Sequence, residues 1–295
     1  MDNNEIQERH MGDPIGTLMK TNSVIRVDGN KGSEGISKYL IKRCAELGIN
    51  KVSYDVVYGK YPEDLRYSEF FAGLGGLQIG PCDGSLVRRM YSRKYDTSSN
   101  IDFAEALDLN TNLVDKYVLH SYPIEFLYKG VVILPGSNLL EQVIDKGKLN
   151  AAACLGAKVK LHPLTREEHI KFLTNQYYEA AIIPTKYSGY SCILNTNLVY
   201  ATGSSELGLY AMLLGKTVVD IGTGTPVGGY ADSFARVIDA PNQKDELNLL
   251  LNNPASGIIL PHTCYKKQVD EYLDIYLEML STHKGAYVPP LSRFA

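Results

Sequence analysis

Leu198-Val199-Tyr200-Ala201-Thr202-Gly203-Ser204-Ser205-Glu206-Leu207-Gly208-Leu209-Tyr210-Ala211-Met212-Leu213-Leu214-Gly215-Lys216-Thr217-Val218-Val219-Asp220-Ile221 is the stretch that decides the fold. Its first four residues read as a short apolar strand. The small, polar run 202–206 ends that strand. Residues 207–214 read as a buried helix, closed by Gly215, a natural helix stop. Lys216 to Ile221 reads as the next strand. Strand, small-residue turn, helix and strand form a βαβ unit. Strands this short and this apolar belong to parallel sheets covered on both faces.

The pattern continues outward on both sides. Gly130-Val131-Val132-Ile133-Leu134-Pro135 is a fully apolar strand. Residues 138–155 predict a helix, with Leu139, Leu140, Val143, Ile144 and Leu149 on one side. Ala157-Lys158-Val159-Lys160-Leu161 is the next strand and runs into His162-Pro163. A polar helix over 165–174, a strand over 179–184 and a short helix over 188–194 follow. Ala235-Arg236-Val237-Ile238-Asp239 reads as one more strand. Five or six strands alternating with helices define an α/β unit. The tail, Lys266 to Leu280, is an amphipathic helix.

The first half gives a weaker signal. Ser23 to Val27 reads as a strand, residues 28–35 as a glycine-rich loop, and Ile36 to Gly48 as a helix. Apolar residues at 36, 39, 40, 44 and 47 carry the helical period. Lys51 to Tyr58 alternates like a strand. Phe70 to Gly84 holds five glycines and no clean period, and 101–107 reads as a short helix. The chain therefore divides into a loose arm (1–20), a first domain (21–128), a second domain (129–262) and a tail helix with a C-terminal segment (263–295). A length of 295 residues fits two domains.

Composition excludes several classes. Hydrophobic residues are 44% and charged residues 21% of the chain, which is incompatible with disorder as the main state. The longest apolar runs fall short of a membrane-crossing helix. The first twenty residues are polar and mixed in charge, unlike a secretory leader. The five cysteines are scattered without a Cys-x-x-Cys pair. That disfavours zinc ribbons and thioredoxin-type redox sites, and it predicts a cytoplasmic protein. A formal net charge of -3 argues against a chain whose main role is coating nucleic acid. It leaves room for a small basic patch.

In an open parallel sheet, ligands sit outside the carboxyl ends of the strands. The residues delivered there are His162-Pro163, then Thr202-Gly203-Ser204-Ser205-Glu206, then Gly222-Thr223-Gly224-Thr225. A small-residue turn entering a helix exposes backbone N–H groups at the positive end of the helix dipole, which suits an anion. Ser204 and Ser205 add hydroxyl donors. The same Ser-Ser-Glu run also reads as an ordinary N-cap. Alternation along the strand puts Lys158, Lys160 and His162 on one side. An imidazole there can neutralise a phosphate, or simply bond to nearby backbone. The nucleotide-binding motifs Gly-x-Gly-x-x-Gly and Gly-x-x-x-x-Gly-Lys-Ser/Thr are both absent, as is the zinc motif His-Glu-x-x-His.

Taken together, Lys160-Leu161-His162-Pro163, Gly203-Ser204-Ser205-Glu206, Leu209-Tyr210-Ala211-Met212-Leu213-Leu214 and Gly215-Lys216-Thr217-Val218 resemble GT-B-type glycosyltransferases. The likeness is greatest to bacterial sialyltransferases, polysialyltransferases and capsule enzymes that use CMP-Kdo, and it covers about 130–240. The resemblance implies two Rossmann-like domains facing a cleft, with the C-terminal helix crossing back. It makes 21–128 the acceptor side and 129–262 the nucleotide-sugar side. It implies that Lys160, His162, Pro163, Gly203, Ser204 and Ser205 hold the donor phosphate, with Glu206 reaching the ribose. The donor would be a CMP- or UDP-linked sugar and the acceptor a glycan or other hydroxyl, in polysaccharide biosynthesis, with neither metal nor cofactor.

Those families carry an acid–acid–Gly motif whose carboxylate deprotonates the acceptor. This chain has only Val27-Asp28-Gly29 and Cys82-Asp83-Gly84, each with a single acid. Asp28 and Asp83 are therefore the candidate bases, and each also reads as an Asp-Gly turn. Two other readings stand beside the transferase. One is a non-hydrolysing UDP-sugar 2-epimerase, which shares the serine-rich helix start. The other is a non-catalytic GT-B-like binding protein, which the weak acid motifs would suit.

Overall fold

The computed structural model describes residues 31–49, 51–53, 65–70, 76–81, 86, 89–90, 101–109, 119–123, 126–203, 205–223, 237–261 and 264–282. In chain order the elements are α1 (Lys31–Glu46), β1 (Lys51–Ser53), β2 (Leu65–Phe70), β3 (Gly76–Pro81) and α2 (Phe103–Ala106). Next come β4 (Val131–Ile133), α3 (Ser137–Val143), α4 (Lys146–Cys154), β5 (Lys158–Lys160), α5 (Glu167–Tyr177) and β6 (Ile182–Ile183). The series ends with α6 (Gly189–Leu194), β7 (Leu198–Ala201), α7 (Glu206–Leu213), β8 (Thr217–Asp220), α8 (Gln243–Asn252), β9 (Ile258–Ile259) and α9 (Tyr265–Ser281).

The chain forms two compact units. The first takes 115–227 and 231–244, and the second takes 28–114 and 245–295. The first unit is α/β and Rossmann-like. Its sheet runs β6-β5-β4-β7-β8, with every pair parallel. Val132, Leu134, Val143, Leu149, Val159, Leu161, Leu173, Tyr200 and Ile221 form one core cluster. Helix α7 is buried from Gly208 to Leu213, as its continuous apolar run predicts. Gly215 ends it in a left-handed conformation, φ +71°.

The second unit holds a mixed sheet, β1-β2-β3-β9. Only β1 and β2 are parallel, while β2–β3 and β3–β9 are antiparallel. Five residues separate β2 from β3, too short for a parallel crossover and ordinary for a hairpin. The tail helix α9 packs on α1 here. Ile36, Leu40 and Cys44 recur every four residues on α1, and they share a core with Val269, Tyr272, Leu273 and Tyr276 of α9. Asp270 ties the two helices at the rim, accepting from Tyr39 Oη and Arg43 Nε, both at 2.7 Å. The pair is half-exposed, so apolar burial outweighs it as a source of stability.

Four expected elements change. Residues 31–35, expected in the glycine-rich loop, belong to α1. The single helix expected over 138–155 is two. Ile144 is extended (φ −97°, ψ 125°) and bridges antiparallel to Gly222. Asp145 then caps α4, accepting from the N–H groups of Gly147 and Lys148. The strand expected over 179–184 opens as a 3-10 turn, Glu179–Ala181, leaving two residues for β6. Val237 and Ile238 are helical, not extended; β-branched propensity is weak against tertiary context. The strand expected over 23–27 lies outside the described residues.

Candidate functional site

The parallel sheet explains where ligands can approach. From β4 the chain steps outward through β5 to β6, then returns past β4 to build β7 and β8. The order reverses between β4 and β7. In open α/β sheets, ligands bind at such a switch point, outside the carboxyl ends of the strands. Ile133 pairs with Lys160, Lys160 with Ile183, and Val132 with Tyr200. The carboxyl ends of β6, β5, β4 and β7 therefore lie side by side. Onto this edge the sequence delivers Leu161-His162-Pro163, Pro135-Gly136-Ser137 and Thr202-Gly203-Ser204-Ser205.

At the end of β5, the chain folds into a tight turn. The His162 carbonyl accepts from Thr165 N at 3.0 Å and from Thr165 Oγ1 at 2.8 Å. His162 Nδ1 accepts from Leu164 N at 3.0 Å. This fixes the neutral ring as the Nε2–H tautomer, a donor for an anion. The imidazole is half-buried and Pro163 is buried. Lys160 is only 2% exposed, and its ammonium donates to the Leu161 carbonyl. Its positive charge lies inside the protein, where it opposes the effect of burial on the Cys192 thiol. Burial prevails, and Cys192 is pushed up to about 11.

At the end of β7, Ser205 N donates to the Thr202 carbonyl at 2.9 Å. Ser205 caps α7, its Oγ accepting from Gly208 N at 3.2 Å. That leaves its own hydroxyl proton for another acceptor. Glu206 occupies the first turn of the helix, and Gly203 is half-buried before it. Ser204, Asp28 and Asp83 lie outside the described residues. Gly208 is what lets the helix start this close to the sheet. A Cβ there would lie 3.1 Å from Ala201 Cβ and 3.4 Å from Ser205 Cβ.

Two further groups belong to the same edge. Ser137, 8% exposed, opens α3 directly after β4. Its Oγ accepts from Arg166 N at 2.7 Å and lies 2.9 Å from His169 Nδ1. It thereby fastens the start of α5 to the end of β4. Its sequence signal was Pro135-Gly136-Ser137, a small-residue turn after an apolar strand, the same pattern as at 202–206. At the end of β8, Lys148 Nζ donates to Asp220 Oδ2 at 2.8 Å and to the Gly222 carbonyl at 2.9 Å. Nothing in the sequence paired residues 72 positions apart.

Among the described residues, no three His, Cys, Asp or Glu side chains gather into a set able to hold a metal ion. None of their helices is long and apolar enough to cross a membrane. Comparison with family models, with curated proteins and with solved structures finds no match to this chain.

Proposed function

We propose that this protein is a GT-B-like glycosyltransferase, moving a sugar from a CMP- or UDP-linked donor to a glycan or other hydroxyl acceptor. The observation that carries the proposal is the strand order. It brings the His162-Pro163 turn and the Ser205-capped start of α7 to one edge, on either side of the β4 end and flanking the switch point. These are the segments through which the sequence resembles GT-B enzymes.

In this reading the donor phosphate sits over the N-terminus of α7. His162 Nε2–H, the Ser205 hydroxyl and the positive end of the α7 dipole stabilise the negative charge that grows as the phosphate departs. Glu206 faces the ribose. Lys160 supports the edge as a buried charge beneath it. An acid from the acceptor side, Asp28 or Asp83, takes the acceptor's proton as its oxygen attacks the anomeric carbon.

Thermal unfolding against CMP, CDP, UDP, GDP and ADP tests the proposal. A nucleotide at about 100 times its Kd stabilises the fold by roughly 2.7 kcal/mol. At roughly 2–4 °C per kcal/mol, the shift is several degrees. It is expected with a cytidine or uridine nucleotide and is lost in His162→Ala. A chain that responds to none of the five refutes the donor site.

A further inference from the structure

The amino-terminal edge of the same sheet, opposite the candidate site, has a different chemistry. Five of the nine exposed large apolar side chains among the described residues stand in the segments that lead into its strands. Phe126 and Tyr128 precede β4, Leu155 precedes β5, Tyr178 precedes β6 and Leu194 precedes β7. Tyr128, Tyr178 and Leu155 are 83%, 80% and 66% exposed. The rings of Phe126 and Tyr128 meet edge to face, with centroids 4.7 Å apart. Single exposed apolar residues are normal on a surface, but a row along one edge marks an interaction surface.

The segments form one strip. Leu127 N donates to the Asn195 carbonyl at 2.7 Å, joining the approaches to β4 and β7. Gly156 lies against the Lys129 side chain, joining β5 to β4. Lys216 Nζ lies 3.5 Å from Asn197 Oδ1, joining β8 to β7. At roughly 4.8 Å per strand, five strands make a strip about 19 Å wide. Tyr178 also has φ 62° and ψ 147°, backbone that a bulky residue rarely adopts. Such strain persists where the surrounding structure enforces it, commonly at functional surfaces.

Charge selects the occupant. Among the described residues, Lys129, Lys158 and Lys216 stand on this edge against one acid, Glu179, although the whole chain carries a net charge of -3. A second copy of the chain would bring lysines against lysines. Tyrosine, phenylalanine and leucine beside lysine suit the boundary between lipid headgroups and acyl chains, where rings lie half in water and ammonium groups reach anionic phosphates. We propose that the amino-terminal edge of this sheet docks on an anionic lipid bilayer, leaving the carboxyl edge facing away from it.

Co-sedimentation of the full chain with vesicles tests this. The protein is expected to sediment with phosphatidylcholine vesicles that contain phosphatidylserine, and far less with phosphatidylcholine alone. Lys129→Ser should lower partitioning about fivefold, the worth of one lysine near an anionic surface. The triple variant Tyr128→Ser/Leu155→Ser/Tyr178→Ser should fall to background while keeping the parent's melting temperature and nucleotide response. The proposal is overturned if the parent stays in the supernatant with both vesicles, or if the triple variant binds as the parent does. It is also overturned if the parent ignores vesicles but forms a dimer that the triple variant cannot, which would assign the strip to a second copy.

Discussion

Gly208→Ala puts the geometry of the α7 entry to its most direct test. In a free helix this change is stabilising by about 1 kcal/mol, because alanine orders more readily. Here the added methyl would lie 3.1 Å from Ala201 Cβ, an atom fixed to the β7 backbone with no torsion through which to retreat. The helix must move by a few tenths of an ångström, and overpacking of this kind costs about 1–3 kcal/mol. Subtracting the propensity gain leaves a net loss of about 0–2 kcal/mol, or a drop of at most roughly 8 °C in Tm. Calorimetry on the purified variant measures it. Ala201→Gly removes the opposing methyl, so the double variant should lose less than the sum of the two single changes. The nucleotide response should also weaken, since the shift displaces the Ser205 cap. A Gly208→Ala variant that melts above the parent would refute the close approach of α7 to β7, and with it the geometry of the site.

Three other outcomes follow from the same coordinates. Gly130→Ala should cost at least about 2 kcal/mol, because φ is +92° and the new Cβ would lie 2.8 Å from the Leu198 carbonyl oxygen; thermal melts check it. Because burial raises the Cys192 thiol to about 11, from 9.0, the native state keeps a proton that the unfolded chain releases. Stability from this group is complete below pH 9 and is lost as pH climbs towards 11, so Cys192→Ala should flatten the alkaline limb of a stability–pH profile. Thiol labelling under native conditions should mark the exposed Cys154 and Cys264 and spare the buried Cys44 and Cys192 until the protein unfolds; mass spectrometry of labelled peptides reads it.

The parts legible in the sequence were those carried by local pattern. The apolar run 207–214 between a small-residue turn and Gly215 specified α7, because its polar backbone can be buried only as a hydrogen-bonded helix or strand and its length favours the helix. Val131 to Ile133 and Leu198 to Ala201 appear as strands where their apolar character put them. Helix α9 follows its amphipathic period. Local pattern misled where a distant partner intervened. The helix at 138–155 breaks because Ile144 bridges to Gly222 and because the N–H of Asp145 goes to the Ile221 carbonyl, both contacts made across the fold.

His162 and Ser205 could be chosen from the sequence by residue type and by position after a strand. Their shared edge could not. That depends on the order β6-β5-β4-β7-β8, which arises from how the chain turns back past β4, and no periodicity records it. Only the folded sheet could show that Ser137 and His169, 32 residues apart, share a hydrogen bond there. The same holds for Lys160, read as one of three residues on a strand face and found 2% exposed, close enough to Cys192 of α6 for its charge to act on that thiol. The sequence by itself settled the elements whose local pattern is strong, α7, α9, β4 and β7 among them, since hydrophobic period and glycine placement act over a few residues. Tertiary structure alone decided which turns become neighbours and which charges are buried, because both follow from packing between segments that are remote in the chain.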